Sequence, residues 1–412
     1  MVDEPEDNEL PGDNDIAFHA EWSDTYRAAH QCLYGSDEKE PDFKEAFRLF
    51  LEEAEEGNAL AMFELGCMYA DGLGREADPA KAHEWYGKAL TAFVAAEQCA
   101  EERQRPYLQY RIGKMYAAGL GYELPVVPDE EGGDGKAVRD YEKAVAWLEK
   151  AAEAEHASAQ YALANIYLAG EAVAKDVTKA TELFTRAAKQ GHDYAAYQLG
   201  KQFLQGEETE KDVEAAIKWL KQSAAANNQY AQYSLGKLYL DGEKVEKDIR
   251  TAITYLKESA AQNNAFAEYR LGRFYLLGED VEADVKEAVQ WLEQSASQGN
   301  QYAQYALGKL YLCGHEVPRN KEKAIPYLEE SAAQGNIYAQ FLLDHLDSFY
   351  EPSVFLATTR LMHRLAQMFE EEKWKAGGSS MQVEGKLRSR IREKKKAMGH
   401  KADDETPRQN LS

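Results

Sequence analysis

The chain has 412 residues, and its 44% hydrophobic content is enough to bury a core, which excludes global disorder. A net charge of −24 excludes the body as a whole from gripping a phosphate backbone, which it would repel. No stretch approaches the roughly eighteen consecutive apolar residues of a membrane-spanning helix, so no membrane insertion is expected.

Residues 1–17 read as an acidic, disordered N-terminus, with seven acids and no base among the first 15 residues. The opening MVDEPEDNELPGDND lacks the basic and apolar regions of an export signal, so the expected compartment is cytoplasmic. The four cysteines (Cys32, Cys67, Cys99, Cys313) form no C-x-x-C pair and are expected to be small buried apolar side chains in a reducing environment.

From residue 18 to 346 the chain is periodic. Leu199-Gly200, Leu235-Gly236, Leu271-Gly272 and Leu307-Gly308 recur every 36 residues, as do Gly170, Gly206, Gly242, Gly278 and Gly314. Asp140, Asp176, Asp212, Asp248, Asp284 and Asn320 form a third ladder of the same period, and Trp147, Leu183, Trp219, Tyr255, Trp291 and Tyr327 a fourth. Two stretches, QYAQYSLGKLYLDG at 229–242 and QYAQYALGKLYLCG at 301–314, differ at only two positions. Such self-similarity marks a repeat array.

The first copy, 18–58, is degenerate, as a terminal cap should be. In READPAKAHEWY, Asp78-Pro79 joins an N-cap to a proline at the first helical position. Gly66 to Gly113 spans 47 residues, and the excess falls in TAFVAAEQCAEERQRPY, a lengthened second helix with its connection. Gly113 to Ala164 spans 51, the excess being a Pro/Gly/acid loop insertion at about 121–139 that projects from the array. Its GGDGK is not a phosphate loop, because Ala137 follows Lys136 where Ser or Thr is required and no strand precedes it.

Residues 229–264 show the logic of one unit. Ala231, Leu235, Leu238 and Tyr239 share one face of a first helix, and Gly242 follows where a left-handed residue ends it. Asp248 is placed to cap a second helix that buries Ile249, Ala252, Ile253, Leu256 and Ala260. The expected fold is all-α: a right-handed α-solenoid of antiparallel helix pairs, each unit completing its core against its neighbours.

Chemistry is sparse. The nine histidines form no metal-ligand spacing; His192 and His315 fall in inter-helix turns and are expected to be solvated. Acidic pairs such as Glu52-Glu53 and Glu371-Glu372 read as solvated helix faces, and no nucleophile motif is present. No cofactor, metal or enzymatic activity is expected. One ladder is a candidate binding stripe. The residue after each first-helix glycine is Lys114, Lys201, Lys237, Arg273 or Lys309, with Asn165 the exception, and shortly before it stand Tyr161, Tyr197, Tyr233, Tyr269 and Tyr305. The pairs Tyr197/Lys201, Tyr233/Lys237, Tyr269/Arg273 and Tyr305/Lys309 would line a groove for an extended acidic or mixed peptide, unless the tyrosines pack between repeats and the bases balance second-helix acids.

Beyond 346 the period is lost. Val354, Leu361, Leu365, Met368 and Phe369 make a helical stripe, read as a capping helix over 347–374. KAGGSS begins a linker-and-tail region, 375–412. In this tail Lys386, Arg388, Arg390, Arg392, Lys394, Lys395, Lys396 and Lys401 stand against Glu384 and Glu393 within 381–401, a basic helix open to nucleic acid, an acidic partner or solvent.

The pattern A-x-x-x-L-G-x-x-Y-x-x-G…D-x-x-x-A-x-x-W…A-A-x-x-G resembles the Sel1-like repeat family, related to the tetratricopeptide class, over about 18–346. The resemblance implies a protein-binding scaffold. A second resemblance, carried by EWSDTYRAAHQCLYGSDEKEPDF, SAAQGNIYAQFLLDHLDSFYEPSVFLATTRLMHRLAQMF and REKKKAMGHKADD, is to the C-terminal region of MobP-type relaxases of conjugative elements. It implies a place in a DNA-transfer complex, as an adaptor or as the non-catalytic remnant of a split relaxase. With no histidine cluster, no relaxase activity carries over to any residue here. The expected molecule is a monomeric, non-enzymatic adaptor with a protein in its groove and nucleic acid, if any, on its tail only.

Overall fold

A computed structural model describes residues 23–35, 40–122, 126–127, 136–137, 140–170, 173–206, 212–278 and 281–346. The acidic N-terminus 1–17, the capping helix 347–374 and the tail 375–412 lie outside these residues. The described residues form helices joined in pairs, an A helix and a B helix, in the solenoid order that the period implies. The pairs are α1 (Asp24–Tyr34) with α2 (Phe43–Glu55), α3 (Ala59–Asp71) with α4 (Pro79–Cys99), and α5 (Arg105–Ala118) with α6 (Tyr141–Glu153). They continue with α7 (Ala157–Ala169) and α8 (Val177–Lys189), α9 (Asp193–Gln205) and α10 (Val213–Ala225), and α11 (Gln229–Asp241) and α12 (Ile249–Ala260). Then come α13 (Ala265–Leu277) with α14 (Val285–Ser297), α15 (Gln301–Cys313) with α16 (Lys321–Ala333), and a last A helix, α17 (Ile337–Asp344). The chain divides into two compact units, 1–271 and 272–412.

Each ladder has a physical role. Gly242 ends α11 at φ 67°, where an L side chain would be strained and would run into Lys247. Asp248 then accepts from the Thr251 amide to cap α12, and its own amide donates to the Tyr239 carbonyl, 3.1 Å away, closing the loop. The same closure joins Asp212 to Phe203 and Asn320 to Tyr311. Inside the pair, Gly236 lets α11 and α12 touch: a Cβ there would meet Leu256 Cγ at 2.7 Å. Gly200 faces Leu220 in the first unit in the same way, and Gly308 faces Leu328 in the second. Buried serines pin the other end, with Ser259 Oγ donating to the Gln229 carbonyl at 2.7 Å and Ser331 Oγ to that of Gln301.

Repeats are joined to repeats by packing and by buried amides. The first unit's core runs through Phe50, Leu65, Ile112, Leu148, Leu163, Phe184, Leu199, Leu220 and Leu235, and the second buries Leu292, Leu307, Leu328 and Leu342. Gln232, 3% exposed, donates to the Ala224 carbonyl of the preceding B helix and accepts from Gln262 at the end of its own. Gln160 makes the same clasp with Ala152 and Gln190.

The lengthened helix of the early copy is α4, with 21 residues and Pro79 in its first turn behind the Asp78 cap. The insertion at 121–139 contains a departure from a purely helical chain, a two-residue antiparallel ladder pairing Val126 with Ala137 and Val127 with Lys136. Three local expectations are corrected. Cys99 is exposed and the other cysteines are half-buried, because the lengthened α4 carries Cys99 to its last residue. Ile249 and Ile253 are only half-buried, the B-helix core being Ala252, Leu256, Ser259 and Ala260. Glu53 is buried rather than solvated, since it accepts from Ser23 Oγ and from Asn58 Nδ2 at 2.8 Å and so links the first two repeats.

The Gly236–Leu256 approach sets a stability test. Gly236→Ala is expected to cost about 1–3 kcal/mol through overpacking, despite alanine's better helix propensity. Combining it with Leu256→Ala should cost clearly less than the sum of the single changes in urea denaturation. Strict additivity would show that the contact is not what requires glycine.

Candidate functional site

The A helices place the tyrosine ladder at repeat junctions. Tyr197 and Tyr233 are half-buried, and their rings lie 5.9 Å from Tyr230 and 6.3 Å from Phe266, each on the following A helix. Burial pushes the Tyr233 hydroxyl above its ordinary value, with nearby Arg270 opposing the shift. In the second unit Tyr305 meets Tyr338 at 6.0 Å. Tyr269 is half-buried as well. The rings therefore serve inter-repeat packing. The bases divide differently: Lys237, Arg273 and Lys309 are exposed, and Lys201 is half-buried. Lys114 lies 5.7 Å from the centre of the ring of Tyr110, four residues before it on the same helix. The tail residues Lys386, Arg388, Arg390, Arg392, Lys394, Lys395 and Lys396 lie outside the described residues.

Sequence reasoning missed a second aromatic ladder on the same helices. Tyr194, Tyr230, Phe266, Tyr302 and Tyr338 also recur at 36, three residues before the first series, and Tyr302 is 50% exposed. A second scan at the known period would have found it. The two ladders interleave, with Tyr194 6.4 Å from Tyr230 and Tyr230 in turn beside Tyr197.

His192 is corrected from a solvated turn residue to a structural one. Its Nδ1 accepts from the Ala195 amide as the α9 N-cap, and its ring stacks on Tyr161 at 4.7 Å. His156 does the same for α7, accepting from Ala159 and stacking on Tyr110 at 4.9 Å. Asn58, Asn228, Asn264, Asn300 and Asn336 hold this position elsewhere. His315 is exposed, as a turn residue should be.

Between the tyrosine and the A-helix glycine lies the register held by Glu64, Arg111, Ala162, Gln198, Ser234, Arg270 and Ala306. The neighbouring positions repeat, whereas this one changes chemistry from copy to copy. Arg270 pairs with Asp241 at the end of the preceding A helix, 2.7 Å away. Arg111 lies instead over the Phe63 ring, 4.5 Å from its centroid, and its Nη2 is buried with no hydrogen-bond partner among the described residues. Burial opposes the Arg111 charge, but Tyr107, Glu64 and Tyr26 around it more than offset this and hold the guanidinium firmly protonated. Burial likewise pushes the Glu64 carboxyl up, and Arg111 pulls it back. The nearby Cys67 thiol is pushed up to about 12, first by burial and then by Glu64, which makes it a poor nucleophile.

An array of helix pairs with an aromatic and basic A-helix face defines an α-solenoid scaffold. The Sel1 repeat model matches residues 25–58, 59–92, 106–130, 130–156, 157–192, 193–228, 229–264, 265–300 and 301–336, and the chain belongs to the Sel1 repeat family. The crystal structure of a Sel1 repeat protein from Oxalobacter formigenes is 29% identical with a TM-score of 0.52, covering 78% of this chain and 85% of that one. That of c5321, a protective antigen present in uropathogenic Escherichia coli strains and displaying an SLR fold, is 30% identical with a TM-score of 0.50, covering 77% and 62%. The ERAD-associated E3 ubiquitin-protein ligase component HRD3B of Arabidopsis thaliana is 32% identical over 134 residues, 32% of this chain. The match spans only 17% of that plant protein, and the chain covers less than two thirds of the antigen. Among the described residues no helix is long and apolar enough to cross a membrane.

The histidine caps predict an acid-sensitive junction. Burial first, and His192 second, lower the His156 imidazole from 6.5 to about 4, so the folded chain resists a proton that the unfolded chain accepts. The stability this contributes is complete above pH 6.5 and is lost as the pH falls toward 4, on the order of 3 kcal/mol in all. In thermal melts between pH 7.5 and 4, His156→Asn should lose stability less steeply than the wild type. Equal slopes would contradict this origin.

Proposed function

We propose that the protein is a non-enzymatic adaptor that holds a partner polypeptide along its A-helix face. Sel1 repeat scaffolds typically serve protein–protein interaction, which supports this reading. The observation that carries it is the exposure of A-helix bases in each unit, Lys237 in the first and Arg273 and Lys309 in the second, on helices that also carry the aromatic ladders, with Tyr302 half exposed. Charge on a solvated face gives orientation and on-rate, and tyrosine gives contact area with few rotamers to fix. That a relative carries the name of a ligase component is consistent with assembly into a larger complex.

Tyr233 packs on Phe266, so truncating it would mix stability with binding. Lys237→Glu with Lys309→Glu and Tyr302→Ala separates them, because surface changes of this kind usually cost within about 0.5 kcal/mol each. The triple variant should lose the proteins that co-purify with the wild type from the native host while its melting temperature stays within a few degrees. Unchanged co-purification would remove the A-helix face from the interface.

A second reading places this adaptor in a conjugative DNA-transfer complex, as an accessory nucleic-acid binder or as the remnant of a split relaxase. It is supported by the resemblance of residues 331–369 and 392–404 to MobP-type relaxases and by the eight bases at 381–401. On this reading the full chain retards oligonucleotides at low salt, with affinity falling steeply as salt rises, and deletion of 376–412 abolishes the retardation. No retardation by the intact chain would sink it.

A further inference from the structure

Arginine stands twice at the one A-helix register whose chemistry varies, and the two copies are in different states. The acid five residues after the glycine is Asp71 in α3 and Asp241 in α11, and the next A helix carries Arg111 in one case and Arg270 in the other. Arg270 uses its acid, with Nη2 2.7 Å from Asp241, and only its Nε is left buried without a partner among the described residues. Arg111 makes no ion pair with Asp71 or with Glu64 among the described residues, and Asp71 is exposed. Its guanidinium carbon lies 4.5 Å from the Phe63 ring centre and 5.7 Å from that of Phe93, with Nη2 buried and unsatisfied.

An orphaned N–H on a buried charged group is costly, while Arg111 as a whole is only half-buried. Stacking on an aromatic ring fixes the plane of the guanidinium while leaving its edge, where the donors are, for an acceptor. The Arg270–Asp241 pair shows what this register accepts when a partner is supplied: a carboxylate. We propose that Arg111 is the anion-reading position of the adaptor surface and takes an aspartate or glutamate side chain of the bound polypeptide. This rests on the adaptor reading above. The site is opposed by Glu64, whose charge competes for Arg111 without touching it, so the bound carboxylate displaces an electrostatic attraction rather than a hydrogen bond. Burial raises the Glu64 carboxyl, which weakens that competition as the pH falls.

The test uses the full chain and a random-peptide phage library as the probe. Peptides selected on the wild type should share an Asp or Glu. Synthetic versions should bind Arg111→Gln about ten- to a hundred-fold more weakly, the loss expected for one charge-assisted hydrogen-bonded pair. Arg270→Gln should leave the acid preference unchanged, because Arg270 is already paired with Asp241. Glu64→Gln should tighten acidic peptides. If Arg111→Gln fails to fold by circular dichroism, the Glu64→Gln arm decides: unchanged or weaker binding there overturns the proposal. Selected peptides that bind Arg111→Gln as tightly as the wild type would overturn it while leaving the adaptor reading intact. A library that yields no binder at all would remove both.

Discussion

The structure depends on the approach of one backbone to another inside each helix pair. Gly236 meets the Leu256 side chain so closely that a single methyl group would collide with it, and the contact recurs at Gly200 with Leu220 and at Gly308 with Leu328. Interiors at this density do not yield by fractions of an ångström without cost. The close approach brings Ser259 within reach of the Gln229 carbonyl and Asp248 within reach of the Tyr239 carbonyl, so both ends of the pair are tied by hydrogen bonds. Where the A-helix residue is Ala164 instead, the register across the pair holds Phe184, and both are fully buried.

Once the pair is fixed, stacking follows a nearest-neighbour rule. In the first unit α9 offers a tyrosine to the next A helix and α11 a buried glutamine to the preceding B helix, as Tyr197 does to Tyr230 and Gln232 to Ala224. A buried amide must satisfy all its groups, and Gln232 can do so only if both its own B helix and the one before it are in place. That makes the clasp a register lock between copies as well as a contribution to stability. Glu53 plays a comparable part at the start of the array through Ser23 and Asn58.

Much of this was legible in the sequence because the ladders are periodic and each has one physical cause: glycine for approach, a second glycine for the left-handed end, aspartate for the cap. What escaped was of two kinds. Glu53 and His192 are polar residues that read as solvated until a neighbour is seen to pack on them, Gln232 drew no reading at all, and enclosure is a tertiary fact. The ladder through Tyr230 and Tyr302 was present at the same period but hidden behind a stronger neighbour three residues away. The candidate stripe was found as a pattern, yet its two halves have different causes: the rings pack between repeats, while Lys237, Arg273 and Lys309 face solvent.

The near-identical stretches at 229–242 and 301–314 show where freedom remains once packing has taken its share. Their two differences fall at Ser234/Ala306, the variable register itself, and at Asp241/Cys313. The second follows from what the next copy carries. Asp241 faces an A helix whose register residue is Arg270, and the two pair; after Cys313 that register is filled by Leu342, which is buried and has no use for an acid. A substitution in one repeat is thus answered in its neighbour, while every position between them stays fixed by the close approach of the helices. In an array built this way, most scaffold residues are determined by one another. At Arg111 the register that varies holds a charge whose expected answer, Asp71, does not reach it.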